Sequence, residues 1–118
     1  MKKILVAEDN DSNFILMTYI LKKYYEYDRA KNGKEAVDMI ENGTFDMVLM
    51  DIKMPVMDGL EATKAIKENN PDIPIIALTA NAFDSDRQLA IDAGCIDFLS
   101  KPVSSDLCIK VLKKYLGE

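Results

Sequence analysis

The residues best able to do chemistry in this sequence stand at the ends of short apolar runs. Asp51 directly follows the run Met47–Met50, and Pro55 with Asp58-Gly59 predicts an irregular loop after it. Four consecutive apolar residues predict a strand that is buried on both faces. In open α/β sheets, ligands gather beyond the carboxyl ends of such strands. A single acid there is often a capping or solvated residue. Whether Asp51 has a functional role therefore depends on which residues follow the other strands.

Charged and hydroxyl side chains end the other apolar runs in the same way. The functional residues at these ends are Glu8, Asp9, Asp51, Thr79 and Lys101. Carboxylates that lie close together repel one another, and a bound cation offsets this cost. Oxygen-only ligands suit Mg²⁺, and the sequence contains no histidine that would favour a softer metal. We therefore expect a Mg²⁺ site formed by Glu8, Asp9 and Asp51, completed by a backbone carbonyl of the following loop, with that of Lys53 as the first candidate.

Thr79 and Lys101 add a hydroxyl group and an ammonium group beside this predicted metal site. A metal ion, a cation and a short hydrogen-bond donor are what the charged oxygens of a transferring phosphoryl group require. A carboxylate can itself be the nucleophile and form an acyl phosphate. The residues at the strand ends therefore indicate phosphoryl transfer.

The elements that must position these residues alternate along the chain. Short apolar runs are separated by segments whose apolar residues recur with helical spacing. Five strands alternating with five helices predict an α/β fold, a doubly wound parallel sheet covered on both faces. A single domain of 118 residues favours the flavodoxin-like strand order 2-1-3-4-5, in which strands 1 and 3 are neighbours.

The apolar patterns also predict the bounds and buried faces of these elements. The predicted strands are Ile4–Ala7, an edge strand around Tyr27–Lys31, Met47–Met50, Pro74–Leu78 and Ile96–Ser100. Asn10 or Asp11 is expected to cap the first helix. Its predicted buried face is Phe14, Met17, Ile20, Leu21 and Tyr24. The fourth helix, Asp84–Ala93, has a thin apolar face made of Leu89, Ala90 and Ala93. The fifth is predicted to bury Leu107, Cys108, Val111, Leu112 and Tyr115.

Composition excludes several classes of function. A net charge of −5 with scattered basic residues argues against a nucleic-acid surface, which needs clustered Lys and Arg. Cys95 and Cys108 form no C-x-x-C motif, so common zinc sites are excluded and reduced cysteines are expected. The run Ile4–Ala7 is too short for a signal peptide, and nothing approaches a membrane span of about 20 apolar residues. We expect one soluble, cytoplasmic domain covering residues 1–118.

Four motifs give the chain a resemblance to a known family. They are Val6–Asn10, Leu49–Gly59, Ala77–Ala80 and Phe98–Pro102. In this order, and over essentially the whole chain, they resemble the CheY-like response regulator receiver domains of two-component signalling. The resemblance implies that Asp51 accepts a phosphoryl group from a phosphohistidine on a histidine kinase or a histidine phosphotransfer protein.

The resemblance also assigns roles to individual residues. The ligands that it implies for Mg²⁺ are Glu8 acting through water, Asp9, Asp51 and the Lys53 carbonyl. Thr79 and Lys101 would bind the phosphoryl oxygens, and Lys101 would precede Pro102 through a cis peptide bond. Phe98 would be the switch residue, whose rotamer follows Thr79. Phe98 has no hydroxyl group, so its switching would work through packing alone.

The predicted mechanism is a two-state switch. Phosphorylation adds about −1.5 to −2 charges at Asp51. Movement of Thr79 toward these charges would let Phe98 rotate and reshape the surface of helix 4, strand 5 and helix 5. The output is expected to be another protein, and the domain would promote only its own phosphorylation and dephosphorylation. It is expected to be a monomer or a weak, phosphorylation-dependent dimer. Lys53 and Asn81 lie at positions that influence the lifetime of the acyl phosphate in the family.

Three alternatives to this interpretation stay open. A phosphohydrolase of the haloacid dehalogenase kind also uses Asp, Mg²⁺, Thr and Lys, but it usually has a second Asp where this chain has Lys53. A flavin carrier of the same fold would need a phosphate loop after strand 1, where this chain is acidic. A degenerate receiver would act only by docking, although the complete acidic set argues against it. Both a free-standing regulator and a receiver within a hybrid kinase are compatible with the sequence.

Overall fold

Five parallel strands alternate with five helices in the part of the chain that the structure describes. This computed structural model describes residues 1–80 and 85–117. The strands are β1 Lys3–Ala7, β2 Glu26–Ala30, β3 Met47–Asp51, β4 Ile75–Thr79 and β5 Asp97–Ser100. The helices are α1 Asp11–Leu21, α2 Gly33–Asn42, α3 Gly59–Asn69, α4 Ser85–Ala93 and α5 Ser105–Leu116. None of these helices combines the length and the apolar character that crossing a membrane demands.

The order of the strands confirms the predicted doubly wound, flavodoxin-like sheet. The order is β2-β1-β3-β4-β5, and all four neighbouring pairs are parallel. Asp51 at the end of β3 pairs with Leu78, and Thr79 at the end of β4 pairs with Ser100. Because the strands are parallel and their last residues pair with one another or with close neighbours, their carboxyl ends lie together at one edge of the sheet.

Apolar layers cover both faces of the sheet. All residues of β3 and β4 are buried, as their uninterrupted apolar runs predict. Leu49 and Ile76 belong to the core between the sheet and helices α1 and α5. Met50 and Ala77, one residue further on, belong to the core on the opposite face with α2, α3 and α4. Burial of each large aliphatic side chain contributes about 1.5–3 kcal/mol, so both layers hold the central strands in place.

The turn after α1 differs from the prediction. Tyr24 was expected on the buried face of the helix, but α1 ends at Leu21 and Tyr24 is 47% exposed. Tyr25 is buried instead, with 3% of its surface exposed. The amides of Tyr24 and Tyr25 both donate to the Leu21 carbonyl, so the chain turns there and helical spacing no longer applies.

Two leucines predicted to be buried lie at the surface. Leu107 in α5 is 50% exposed and Leu89 in α4 is 48% exposed. Each lies one residue before a buried stripe that begins with Cys108 or Ala90. One residue turns a helix by about 100°, which is enough to carry these side chains off a narrow interface. Tyr115, also predicted to be buried, is only partly buried and donates from its hydroxyl to Asp97 over 2.9 Å.

The remaining differences concern element ends. Lys31, Pro74 and Ile96 were predicted as strand residues, but they lie just outside β2, β4 and β5. Asn10 is the cap of α1, and its side chain accepts from the Asn13 amide. The predicted first residue of the fourth helix, Asp84, lies outside the described residues, as does Asn81.

Cys108 makes the stability of the fold depend on pH in alkaline solution. Its side chain is fully buried, and this burial raises the pKa of the thiol from 9.0 to about 12. The unfolded chain therefore loses this proton at a lower pH than the native protein. We expect the free energy of unfolding to fall as the pH rises from 9 toward about 12, by up to about 1.4 kcal/mol per pH unit from this thiol alone. Urea titrations of the unaltered protein and of Cys108→Ala measure the effect, because the slope should be smaller in Cys108→Ala, which keeps only the Cys95 thiol, whose pKa burial also raises.

Candidate functional site

A cavity at the carboxyl edge of the sheet collects most of the residues predicted from the sequence. Its volume is about 260 Å³. The predicted site residues that line it are Glu8, Asp9, Asp51, Lys53, Thr79 and Lys101. Asn13 of α1 and Asp86 of α4 also line the cavity and were not predicted. No strand-end pattern marks these two residues, because they reach the cavity from helices.

The three predicted metal ligands form one acidic cluster. One carboxylate oxygen from each of Glu8, Asp9 and Asp51 lies within 4.8 Å of the others. Glu8 and Asp51 are buried, whereas Asp9 is exposed to solvent. The buried Glu8 Oε1 makes no hydrogen bond within the described part of the chain, although the Lys101 ammonium lies 2.9 Å away. An all-oxygen donor set with an incompletely satisfied buried oxygen fits a hard divalent cation.

Lys101 places its ammonium group against the buried carboxylates of the cavity. It follows β5, where its amide donates to the Thr79 carbonyl over 2.8 Å, and a cis peptide bond joins it to Pro102, as the family resemblance implied. Its ammonium nitrogen lies 2.9 Å from Glu8 Oε1 and 3.1 Å from Asp51 Oδ1. Burial alone would lower the pKa of Lys101, but the two carboxylates outweigh burial and raise it. Lys101 therefore stays charged.

The two buried carboxyl groups have opposite pKa shifts. Burial and the neighbouring Glu8 raise the pKa of Asp51 to about 7, and Lys101 only partly opposes this. Burial also favours a higher pKa for Glu8, but its close contacts with Asp51 and Lys101 outweigh burial and lower the pKa. Two buried acids and one lysine thus leave a surplus of negative charge, which a proton on Asp51 relieves near neutral pH. A second cation would relieve the same surplus.

The loop after β3 is closed tightly beneath Asp51. The Lys53 amide donates to Asp51 Oδ1 over 3.3 Å, and the Gly59 amide donates to the Ile52 carbonyl over 2.7 Å. A Cβ atom on Gly59 would lie 2.1 Å from the Asp51 carbonyl oxygen, so only glycine fits where α3 begins. Asp58 caps α3 by accepting from the Glu61 amide. This loop holds Lys53 beside the acidic cluster.

Thr79 and Phe98 lie on the same side of neighbouring strands. Thr79 is buried and lines the cavity. Phe98 pairs with Ala77, two residues before Thr79, and side chains two residues apart on a strand share a face. The half-buried Phe98 ring packs against the core on the side of α4, with the Arg87 guanidinium 4.8 Å from its centroid. Phe98 therefore joins the sheet face that carries Thr79 to α4.

Comparison with known proteins decides the family. The sequence profile of the family described as the response regulator receiver domain matches residues 4–113 of the chain. The chain belongs to this family. It is thus a receiver domain of two-component signalling, as the four sequence motifs indicated, and not a haloacid dehalogenase or a flavin carrier.

Two relatives differ greatly in length. The receiver domain is 38% identical to the polar-differentiation response regulator DivK of Brucella anthropi, over 99% of this chain and 98% of that protein. It is 40% identical to hybrid signal transduction histidine kinase B of Dictyostelium discoideum, over 99% of this chain but 7% of that protein. The chain therefore matches almost the whole of one relative and a small part of the other.

Two solved structures share the fold closely. The receiver domain of the sensor histidine kinase PA1611 from Pseudomonas aeruginosa has a magnesium ion coordinated in its active-site cleft. Its TM-score is 0.92 at 37% identity, covering 99% of this chain and 98% of that chain. The receiver domain of Ssk1 was solved with the histidine phosphotransfer protein Ypd1 of Saccharomyces cerevisiae. Its TM-score is 0.88 at 31% identity, covering 97% of this chain and 88% of that chain.

Proposed function

We propose that Asp51 of this receiver domain accepts a phosphoryl group from a phosphohistidine of a histidine kinase or a histidine phosphotransfer protein. The observation that carries the proposal is the position of Asp51, buried at the carboxyl edge between Glu8 and Lys101. A carboxylate held beside a cation and a group of metal-binding oxygens is suited to attack phosphorus. Loss of labelling in Asp51→Asn is the direct test.

In the proposed step, an Asp51 carboxylate oxygen attacks the phosphorus atom of the donor. The new O–P bond forms as the P–N bond breaks, and its electron pair stays on the donor's imidazole nitrogen. Lys101, 3.1 Å from Asp51 Oδ1, would neutralise charge on the phosphoryl oxygens. The buried Thr79 would donate its hydroxyl group to another of these oxygens. The domain would promote only this transfer and the later hydrolysis of its own acyl phosphate, in which water attacks phosphorus, inorganic phosphate leaves and the Asp51 carboxylate is restored.

We propose Mg²⁺ as the cofactor of this step. Asp9, Asp51 and the Lys53 carbonyl would bind the ion directly, and Glu8 would bind it through water. The acidic cluster within 4.8 Å and the incompletely satisfied Glu8 oxygen support this ligand set. When bound, Mg²⁺ supplies positive charge that offsets repulsion between the carboxylates and the incoming phosphoryl group.

We propose that phosphorylation is read out through Thr79 and Phe98. Attraction of Thr79 to the phosphoryl group would free space for the Phe98 ring and change the surface of α4, β5 and α5. The weak anchoring of α4 supports this, since only Ala90 and Ala93 are described as buried along the helix. Elements with few buried apolar contacts open at low free-energy cost. The output would be a protein that binds this surface, with the domain itself a monomer or a weak dimer.

A single cytoplasmic domain over residues 1–118 stays a prediction.

The outer face of α1 is the proposed docking surface for the phosphodonor. This docking face consists of Ile15, Leu16 and Tyr19, three large side chains that are all exposed. Leu16 also lines a narrow crevice that includes Lys101 and Pro102, so the face continues into the site. Large exposed apolar side chains on one helix mark a surface suited to binding another protein. The donor protein would thus be held with its phosphohistidine next to Asp51.

Replacement of Ile15 by lysine tests the docking face. We expect Ile15→Lys to reduce kcat/KM for transfer from a phosphorylated histidine phosphotransfer protein by about tenfold, because a charge enters an apolar interface. Labelling by acetyl phosphate should be unchanged, since this donor needs no docking surface. Ile96→Lys is the matched control. Ile96 is about as exposed as Ile15, but it lies just before β5, at the amino ends of the strands and away from the cavity. An equal effect of both variants, or none from Ile15→Lys, would contradict the proposed surface.

A further inference from the structure

We infer that the first residue of α2, Gly33, is a positioning residue for the metal-binding loop, which it holds through the carbonyl of Met57. The metal-binding loop is defined as residues 52–58, between β3 and α3. The inference rests on the proposed function, because it concerns the Mg²⁺ site at Lys53. It adds an element, α2, that contributes no side chain to the cavity.

Gly33 contacts the metal-binding loop through backbone atoms on both sides. Its amide donates to the Met57 carbonyl over 2.9 Å. A Cβ atom on Gly33 would lie 2.3 Å from the Met57 oxygen and 2.9 Å from the Asp58 oxygen. Backbone atoms cannot rotate out of the way as the end of a side chain can. Any larger residue at position 33 must therefore displace the loop.

The backbone conformation of Val56 indicates that residues outside the metal-binding loop hold the loop in place. Its φ angle is +69°, a left-handed conformation that β-branched residues rarely adopt. Its side chain is 79% exposed, so burial does not compensate for this strain. The loop is instead fixed at two points, where Gly59 donates to Ile52 and where Gly33 donates to Met57. Backbone strain of this kind persists only when surrounding contacts over-determine the conformation.

Lys53 lies between these two fixed points, next to the acidic cluster. Its amide donates to Asp51 Oδ1, so a shift of the loop also moves the backbone of the proposed ligand. The N-terminus of α2 is itself well anchored, because the Asn32 side chain accepts from the Glu35 amide and Glu35 accepts from the Lys31 amide. A rigid helix end thus supports the backbone that would bind the ion. Residues that support ligands in this way typically change metal affinity 10–100-fold when altered.

Gly33→Ala tests the inference in the full chain. We expect its dissociation constant for Mg²⁺ alone, measured by calorimetry, to rise about tenfold. Gly43→Ala is the matched control, because Gly43 lies at the other end of α2, where the atoms nearest to a new Cβ belong to Met39 and Phe45, at 3.1 and 3.2 Å, and not to the metal-binding loop. Urea titrations of both variants measure how far each destabilises the fold. Mg²⁺ affinity that is unchanged in Gly33→Ala, or reduced equally in both variants, would overturn the inference.

A second measurement on the unaltered protein keeps the inference testable if Gly33→Ala does not fold. If the hydrogen bond from Gly33 favours metal binding, metal binding must favour that hydrogen bond by the same factor. Mg²⁺ should therefore slow hydrogen exchange of the Gly33 amide about tenfold. It should leave the Gly94 amide, which donates to Ile91 far from the loop, unchanged. Mg²⁺ binding without slower exchange at Gly33 overturns this inference alone, whereas absence of Mg²⁺ binding overturns the proposed function.

Discussion

Asp51→Asn is expected to abolish labelling by phosphohistidine donors and by acetyl phosphate. The amide is almost isosteric with the carboxylate, but its oxygen is too weak a nucleophile to form the acyl phosphate. The bound phosphate of the unaltered protein should be labile in alkali, as acyl phosphates are. Intact-protein mass spectrometry after incubation with the donor and Mg²⁺ measures the added phosphoryl group. Stoichiometric labelling of Asp51→Asn would place the acceptor elsewhere and refute the assignment.

The fold of Asp51→Asn should survive, so that loss of labelling reports chemistry. Ionised Asp51 is disfavoured in the native protein, because burial and Glu8 raise its pKa to about 7. Above that pH the neutral amide removes a repulsive charge, so we expect the metal-free variant to be at least as stable as the unaltered protein. Asp11→Asn is the matched control for labelling, since Asp11 is an exposed carboxylate near the site that pairs with Arg29. Its labelling should be normal.

Removal of divalent metal is expected to slow labelling by about 100-fold or more, because the acidic cluster then repels the donor's phosphoryl group. The rate of labelling by acetyl phosphate, followed against Mg²⁺ concentration and with EDTA, measures this dependence. Asp9→Asn should require at least about tenfold more Mg²⁺ for half of the maximal rate, because one ligand charge is lost. Asp11→Asn should follow the curve of the unaltered protein.

Metal binding should also be visible without any phosphodonor. Mg²⁺ at 100 times its dissociation constant should raise the free energy of unfolding by about 2.7 kcal/mol. Asp9→Asn should need a correspondingly higher concentration for the same gain. Equal labelling rates with Mg²⁺ and with EDTA, together with no stabilisation by Mg²⁺, would contradict the metal site.

Much of this protein could be predicted from its sequence alone. The apolar runs before Asp51 and Thr79 are long enough to be buried on both faces, and parallel sheets covered by helices are typical of strands buried in this way. Parallel strands present their carboxyl ends at one edge. The sequence positions of Glu8, Asp51 and Lys101 therefore implied that these residues meet, and their ion pairs of 2.9 and 3.1 Å confirm it.

Only the tertiary structure decided which side chains are covered and what holds the loop. Leu107 and Leu89 match helical patterns, yet they are exposed because burial depends on neighbouring elements distant in sequence. The contact of Gly33 with Met57 joins two segments with no common sequence pattern. It is a hydrogen bond between backbone atoms, which every residue type has, so the sequence could not indicate it. Local periodicity reports the face of an element, whereas the packing of elements against one another decides which part of that face is buried.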